Sequence, residues 1–65
     1  MTFADDVRQR RKELGLTQVE AADLAGVSER FVRLVEAGKV SVRLDKLEAL
    51  LEVLGLELRA SLRRT

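Results

Sequence analysis

"LGLTQVEAADLAGVSERFVRLVEAGK", residues 14 to 39, decides how this chain folds. Thr17 is followed three residues later by Glu20, the spacing of a capping box, so a helix is expected from about Gln18 to Ala25. Its inner face is small: Ala21, Ala22 and Ala25, with Leu24 beside them. Small side chains let another helix approach closely. Gly26-Val27-Ser28 then reads as a tight turn. Glycine supplies a positive φ cheaply, and serine caps the next helix. That helix should run to about Ala37, with Gly38 just past it. Val27, Val32 and Val35 would point inward, and Ser28, Glu29, Arg30 and Arg33 outward.

On the N-terminal side, a first helix is expected from about Phe3 to Leu14. Thr2 and Asp5 have capping-box spacing, and Phe3, Val7 and Leu14 lie on one stripe that Arg11 interrupts. On the C-terminal side, a fourth helix should start with Ser41 as N-cap and end near Leu54. Leu44, Leu47, Leu51 and Leu54 recur at three and four, a core stripe that Leu50 widens. Gly55 ends it. Residues 56 to 62 change period: Leu56, Leu58, Ala60 and Leu62 share one face, and Glu57, Arg59 and Ser61 the other. That is strand alternation. No second strand is legible in the chain, and a lone strand leaves its backbone groups unpaired. Pairing of two copies of the tail across a dimer axis is the expected solution; a frayed or helical tail is the alternative.

The chain has 65 residues, with no Cys and no His, which excludes disulfides and the usual zinc ligand sets. A domain of about 60 residues buries only about 60% of its unfolded surface, so self-association is the natural support for so small a core. No apolar run is long enough to span a membrane, and the N-terminus lacks the uncharged stretch of a secretory signal. A cytoplasmic protein is the resulting expectation. Net charge is only +1, from 12 basic and 11 acidic residues. The charge is polarised, however. Arg8, Arg10, Arg11 and Lys12 lie early, and Arg30, Arg33, Lys39 and Arg43 follow. Asp45, Glu48, Glu52 and Glu57 make the later stretch acidic.

Two short helices joined by a three-residue turn that begins with Gly have the layout of a helix-turn-helix. Leu14-Gly15-Leu16-Thr17-Gln18, Ala22, Gly26-Val27-Ser28, Val32 and Glu36-Ala37-Gly38-Lys39 resemble the DNA-binding domain of lambda-type phage repressors and xenobiotic-response-element regulators. "RFVRLVEAGK" (30–39) and "RLDKLEALLEVLGLELRASL" (43–62) extend the likeness to HipB-like antitoxins of toxin–antitoxin modules. The resemblance covers nearly the whole chain. It implies a mostly α fold, a four-to-five-helix lambda-repressor-like domain over residues 1–55. Residues 56–65 would form a short strand and tail pairing between subunits through Leu56, Leu58, Ala60 and Leu62. With Thr65 as the last residue, the longer C-terminal tail of some such antitoxins is expected to be absent.

A recognition helix places its N-terminal residues against base edges in the major groove. Arg30 is the first candidate, since a guanidinium matches the two acceptors of guanine. Arg33, one turn on, would reach a base or a phosphate, and Ser28 would cap the helix and touch the backbone. Two readings of Glu29 stay open. Its carboxylate could accept from cytosine N4, or it only favours the positive helix end. Phe31 could touch a thymine methyl, or belong to the core or a dimer interface. The resemblance gives Gln18 a phosphate contact at the start of its helix. Thr17, Lys39, Ser41 and Arg43 are further backbone candidates, with a solvated loop as the alternative for Lys39 and Arg43. In the resembled fold Arg11 and Glu36 form an ion pair, which leaves Arg8, Arg10 and Lys12 as a solvated face.

The expected function is that of a homodimeric, sequence-specific repressor on double-stranded DNA, without cofactor or metal. The resemblance adds an antitoxin role toward a HipA-like kinase toxin. The alternatives are a stand-alone phage-type or stress regulator and a mainly protein-binding antitoxin. An enzyme is disfavoured: there is no His, Cys or Tyr, and so small a domain has little room for a pocket.

Overall fold

A computed structural model describes residues 2–39 and 41–59. It contains α1 (Phe3–Glu13), α2 (Gln18–Ala25), α3 (Glu29–Glu36) and α4 (Leu44–Val53). The first three helices begin where a side chain can cap them. Thr2 and Asp5 exchange hydrogen bonds at the start of α1, and Thr17 and Glu20 do so at α2. Ser28 accepts from the Phe31 amide at α3, 3.0 Å away. Each cap satisfies amides that have no partner in the first turn.

The turn between α2 and α3 is set by Gly26, at φ +71°. Its left-handed conformation lets the Gly26 amide reach the Ala22 and Asp23 carbonyls, and the Val27 amide donates to Ala22 at 3.0 Å. Such bonds consume carbonyls that the helix end leaves free. The turn therefore closes with its polar backbone satisfied and delivers Ser28 to its capping position.

The core gathers Val7 of α1, Ala21 and Ala22 of α2, Val32 and Val35 of α3, and Leu47, Leu50, Leu51 and Leu54 from α4 and its C-cap. α2 packs on both α3 and α4, and α1 packs on α3. The two alanines explain the closeness at α2: both are fully buried and neither holds its neighbours away.

Several expectations are corrected. α4 starts at Leu44 with Arg43 as N-cap, two residues later than a cap at Ser41, and has no side-chain cap bond. Val42 packs against the core instead of entering the helix. The negative charge of Asp45 then sits in the first turn, where the helix favours it. Leu44 is 59% exposed and not part of the core stripe. Helix side chains tilt toward the N-terminus, so one in the first turn reaches past the end of the helix. Phe3 and Leu14, at the two ends of the α1 stripe, are likewise exposed, and of its three apolar groups only Val7 is buried, with Arg11 beside it. Leu24 is exposed as well.

Among the described residues there is no strand. Leu56 packs partly buried against the core and Leu58 is exposed. Glu57 and Arg59 pair at 2.6 Å, at the spacing of two that puts side chains on one side of an extended chain. Ala60 and Leu62, the other half of the expected strand face, lie outside the described residues.

Candidate nucleic-acid interface

The outer side of α3 carries Glu29, Arg30 and Arg33, all exposed, with the exposed Ser28 at its start. Val32 and Val35 face the core and are buried, and Val27 packs partly buried against it. Phe31 is partly buried and packed on the same core, so its ring is mainly an inner group. The helix thus separates a packing face from a polar face, as its 3.6-residue period allows.

The arginines are not equivalent. Arg11 donates from Nε and Nη2 to the two carboxylate oxygens of Glu36, at 2.6 and 3.0 Å, and from Nη1 to the Leu16 carbonyl at 2.8 Å. Arg8 donates to the Glu36 carbonyl at 3.2 Å. Arg10 donates to the Leu54 carbonyl at 2.8 Å. Arg33 pairs with Glu29 at 3.1 Å, Arg43 with Asp45 at 2.8 Å and Arg59 with Glu57. Arg30 alone has no carboxylate or carbonyl partner among the described residues. Its guanidinium is therefore free to meet an acceptor from outside.

Three of the four cations between residues 8 and 12 make contacts within the molecule. Arg8 and Arg10 keep 48% and 40% of their side chains exposed, as a solvated face requires, and also donate to the carbonyl ends of α3 and α4, where cations are favoured. Arg8 and Arg11 do lie three apart on one helical face, which hinted at a shared target. The target of Arg10 is a main-chain carbonyl, which leaves no mark in the sequence.

Glu36 is the centre of this network, its side chain only 2% exposed. Burial pushes its carboxyl up, but hydrogen bonds from Arg11 and Gln18, with the charges of Arg11 and Arg8, outweigh that and hold it below the ordinary value. In turn Glu36 raises Arg11, first through their hydrogen bond. No buried side-chain polar atom among the described residues lacks a partner.

Gln18 joins the same network: its Nε2 donates to Glu36 at 3.2 Å. The side chain is turned inward rather than held out. Its backbone amide stays in the first turn of α2, where no intrahelical acceptor exists. Thr17 is exposed, and its hydroxyl already accepts from the Glu20 amide. Lys39, Ser41 and Arg43 are exposed on the segment between α3 and α4. The guanidinium of Arg43 holds the Asp45 carboxyl below its usual range. Among the described residues no cluster of His, Cys, Asp or Glu could hold a metal ion, and no helix is long and apolar enough to cross a membrane.

A family model described as helix-turn-helix matches residues 7–60. The chain is 45% identical over 49 residues to an uncharacterized HTH-type transcriptional regulator, y4mF, of Sinorhizobium fredii. That match covers 75% of this chain and 64% of the relative, so the chain spans a little under two thirds of that relative's length. It is 39% identical over 51 residues to an uncharacterized HTH-type transcriptional regulator of Methanothermobacter thermautotrophicus, covering 78% of this chain and 74% of that one.

Proposed function

The chain belongs to the helix-turn-helix family, and from that premise we propose that it is a sequence-specific DNA-binding transcriptional repressor, cytoplasmic and acting as a homodimer on a palindromic operator. Two of its relatives are named HTH-type transcriptional regulators, which supports the regulatory part. The observation that carries the DNA-reading part is the guanidinium of Arg30, unpartnered among the described residues, on the exposed face of a capped α3. Arg30 reads guanine through its N7 and O6 acceptors, with Ser28, Glu29 and Arg33 beside it in the major groove. Thr17, Gln18, Lys39, Ser41 and Arg43 hold the phosphates and set the register. For Gln18 the helix-end amide makes that contact, because the side chain is engaged by Glu36.

Residues 1–55 form the DNA-binding unit in this reading, and residues 56–65 join two copies through Leu56, Leu58, Ala60 and Leu62. The exposed apolar groups Phe3 and Leu58 flank an apolar groove that also takes in Val35, Val42 and Leu47, which favours association there. An antitoxin role toward a HipA-like kinase toxin is a second layer, supported by the exposed acidic groups Asp45, Glu48 and Glu52 of α4. It leaves the DNA reading intact.

Selection of bound duplexes from a random pool tests the proposal. The expected product is a palindrome with half-sites about one helical turn apart. Arg30→Ala should lose preference at one position of each half-site and weaken binding by about 1–3 kcal/mol. A pool that stays random at moderate salt overturns the reading.

A further inference from the structure

Glu29 and Arg33 stand one helical turn apart on the face of α3 assigned to bases, and they are joined at 3.1 Å. Both side chains are about half exposed, so the pair is open to solvent and to a ligand. A carboxylate on such a face is unexpected, because it faces a polyanion. Were Glu29 needed only for the positive end of α3, Ser28 already supplies the capping bond there. Glu29 also withholds the charge of Arg33, which leaves Arg30 as the one unpartnered arginine among the described residues.

We infer that Glu29 is a specificity-determining residue, and that the Glu29–Arg33 pair reads a G·C base pair as a unit. This rests on the DNA-binding reading above. Cytosine presents an N4–H donor in the major groove and guanine two acceptors. Glu29 accepts from the first and Arg33 donates to the second, so the base pair replaces the internal ion pair contact for contact. An A·T pair answers this less well. Adenine N6–H can donate to Glu29, but the donor N6 then stands beside the acceptor N7, so Arg33 finds no two adjacent acceptors to fork onto as it does on guanine. On random duplex the pair stays closed. Arg33 then adds nothing to phosphate neutralisation, and Glu29 adds repulsion. Glu29 thereby lowers affinity for wrong DNA more than for the operator.

The two arginines consequently do different work. Arg30 is ready before contact and contributes to any guanine it meets. Arg33 becomes available only where the DNA gives Glu29 a donor in exchange.

The test compares the selected operator with a random-sequence duplex over a salt series, for the full chain and for Glu29→Gln, Arg33→Gln and the double variant. Glu29→Gln should tighten binding to random duplex several-fold and steepen its salt dependence by about one unit per subunit, because Arg33 is released to phosphates. The ratio of operator to random affinity should fall. Arg33→Gln should then cost more in the Glu29→Gln background than alone on random duplex. Thermal melting of each variant separates these effects from loss of fold. An unchanged operator-to-random ratio in Glu29→Gln overturns the inference, as does parallel weakening on both duplexes with lower stability, which marks a purely structural residue. If the unaltered protein shows no preference between the duplexes, the DNA-reading proposal itself has failed, a result distinct from either of these.

Discussion

Glu36 sits where a charge is costly, and it is stable there because every face of its carboxylate meets a donor. Removing one partner of a buried pair strands the other, at a cost of about 3–5 kcal/mol. Glu36→Gln should therefore lower the urea midpoint by an amount comparable with the whole stability of so small a domain. The pH dependence follows in sign. The folded carboxyl is held below its ordinary value of 4.5, so the unfolded chain takes up the proton first as pH falls. The stabilisation is complete above the unfolded value and is lost as pH falls through the folded one. Urea midpoints measured from about pH 7 down to about pH 3 should drop in the unaltered protein below its ordinary carboxyl range. The drop should be shallower in Glu36→Gln. At this scale the sequence was partly legible. Arg11 interrupts an apolar stripe, and the family resemblance pairs it with Glu36. The roles of Arg8 and Arg10 were hidden, because a cation that serves a distant main-chain carbonyl looks like any solvated one.

Among the elements, α4 stands apart as the one helix without a side-chain cap. Arg43 occupies its N-cap position and its ion pair with Asp45 is exposed on both sides, so that pair contributes little. Arg43→Ser supplies a capping hydroxyl and should raise stability by about 0.5–1 kcal/mol in urea denaturation. The same change should weaken DNA binding across all sequences and reduce the salt slope by about one per subunit, since Arg43 is proposed to meet a phosphate. Stability and binding then move in opposite directions in one variant. The first three helices were readable because capping boxes, glycines and apolar spacing agree on their limits. α4 was misplaced by two residues because Ser41 offers a better cap than Arg43. Local preference yielded to Val42, which the core takes before the helix begins.

For the molecule as a whole, the proposed dimer is the least legible feature. Leu56 and Leu58 alternate as a strand would, but strand pairing between subunits lies in contacts that one chain does not contain. Sedimentation should give twice the mass of one chain, and the melting temperature should rise with protein concentration. Leu58→Lys should shift the mass toward monomer or unfold the protein. A stable monomer at micromolar concentration contradicts the pairing. Charge distribution was a weak guide at this scale. The charge is polarised along the sequence, but the arginines of α1 make contacts within the molecule, which charge counting does not show.

One carboxylate fastens three helices: Arg8 and Arg11 reach it from α1, Gln18 from α2, and Glu36 itself lies in the last turn of α3. A fluctuation that parted α1 from α3 would strand a charge in a dry interior, so the end of α3 opens with α1 or not at all. α3 is thereby denied private fraying and meets its ligand as a stiff probe. On the proposed operator, accommodation then falls to the DNA. The ease with which a duplex bends or twists to fit becomes part of what is selected, even at base pairs that no side chain touches.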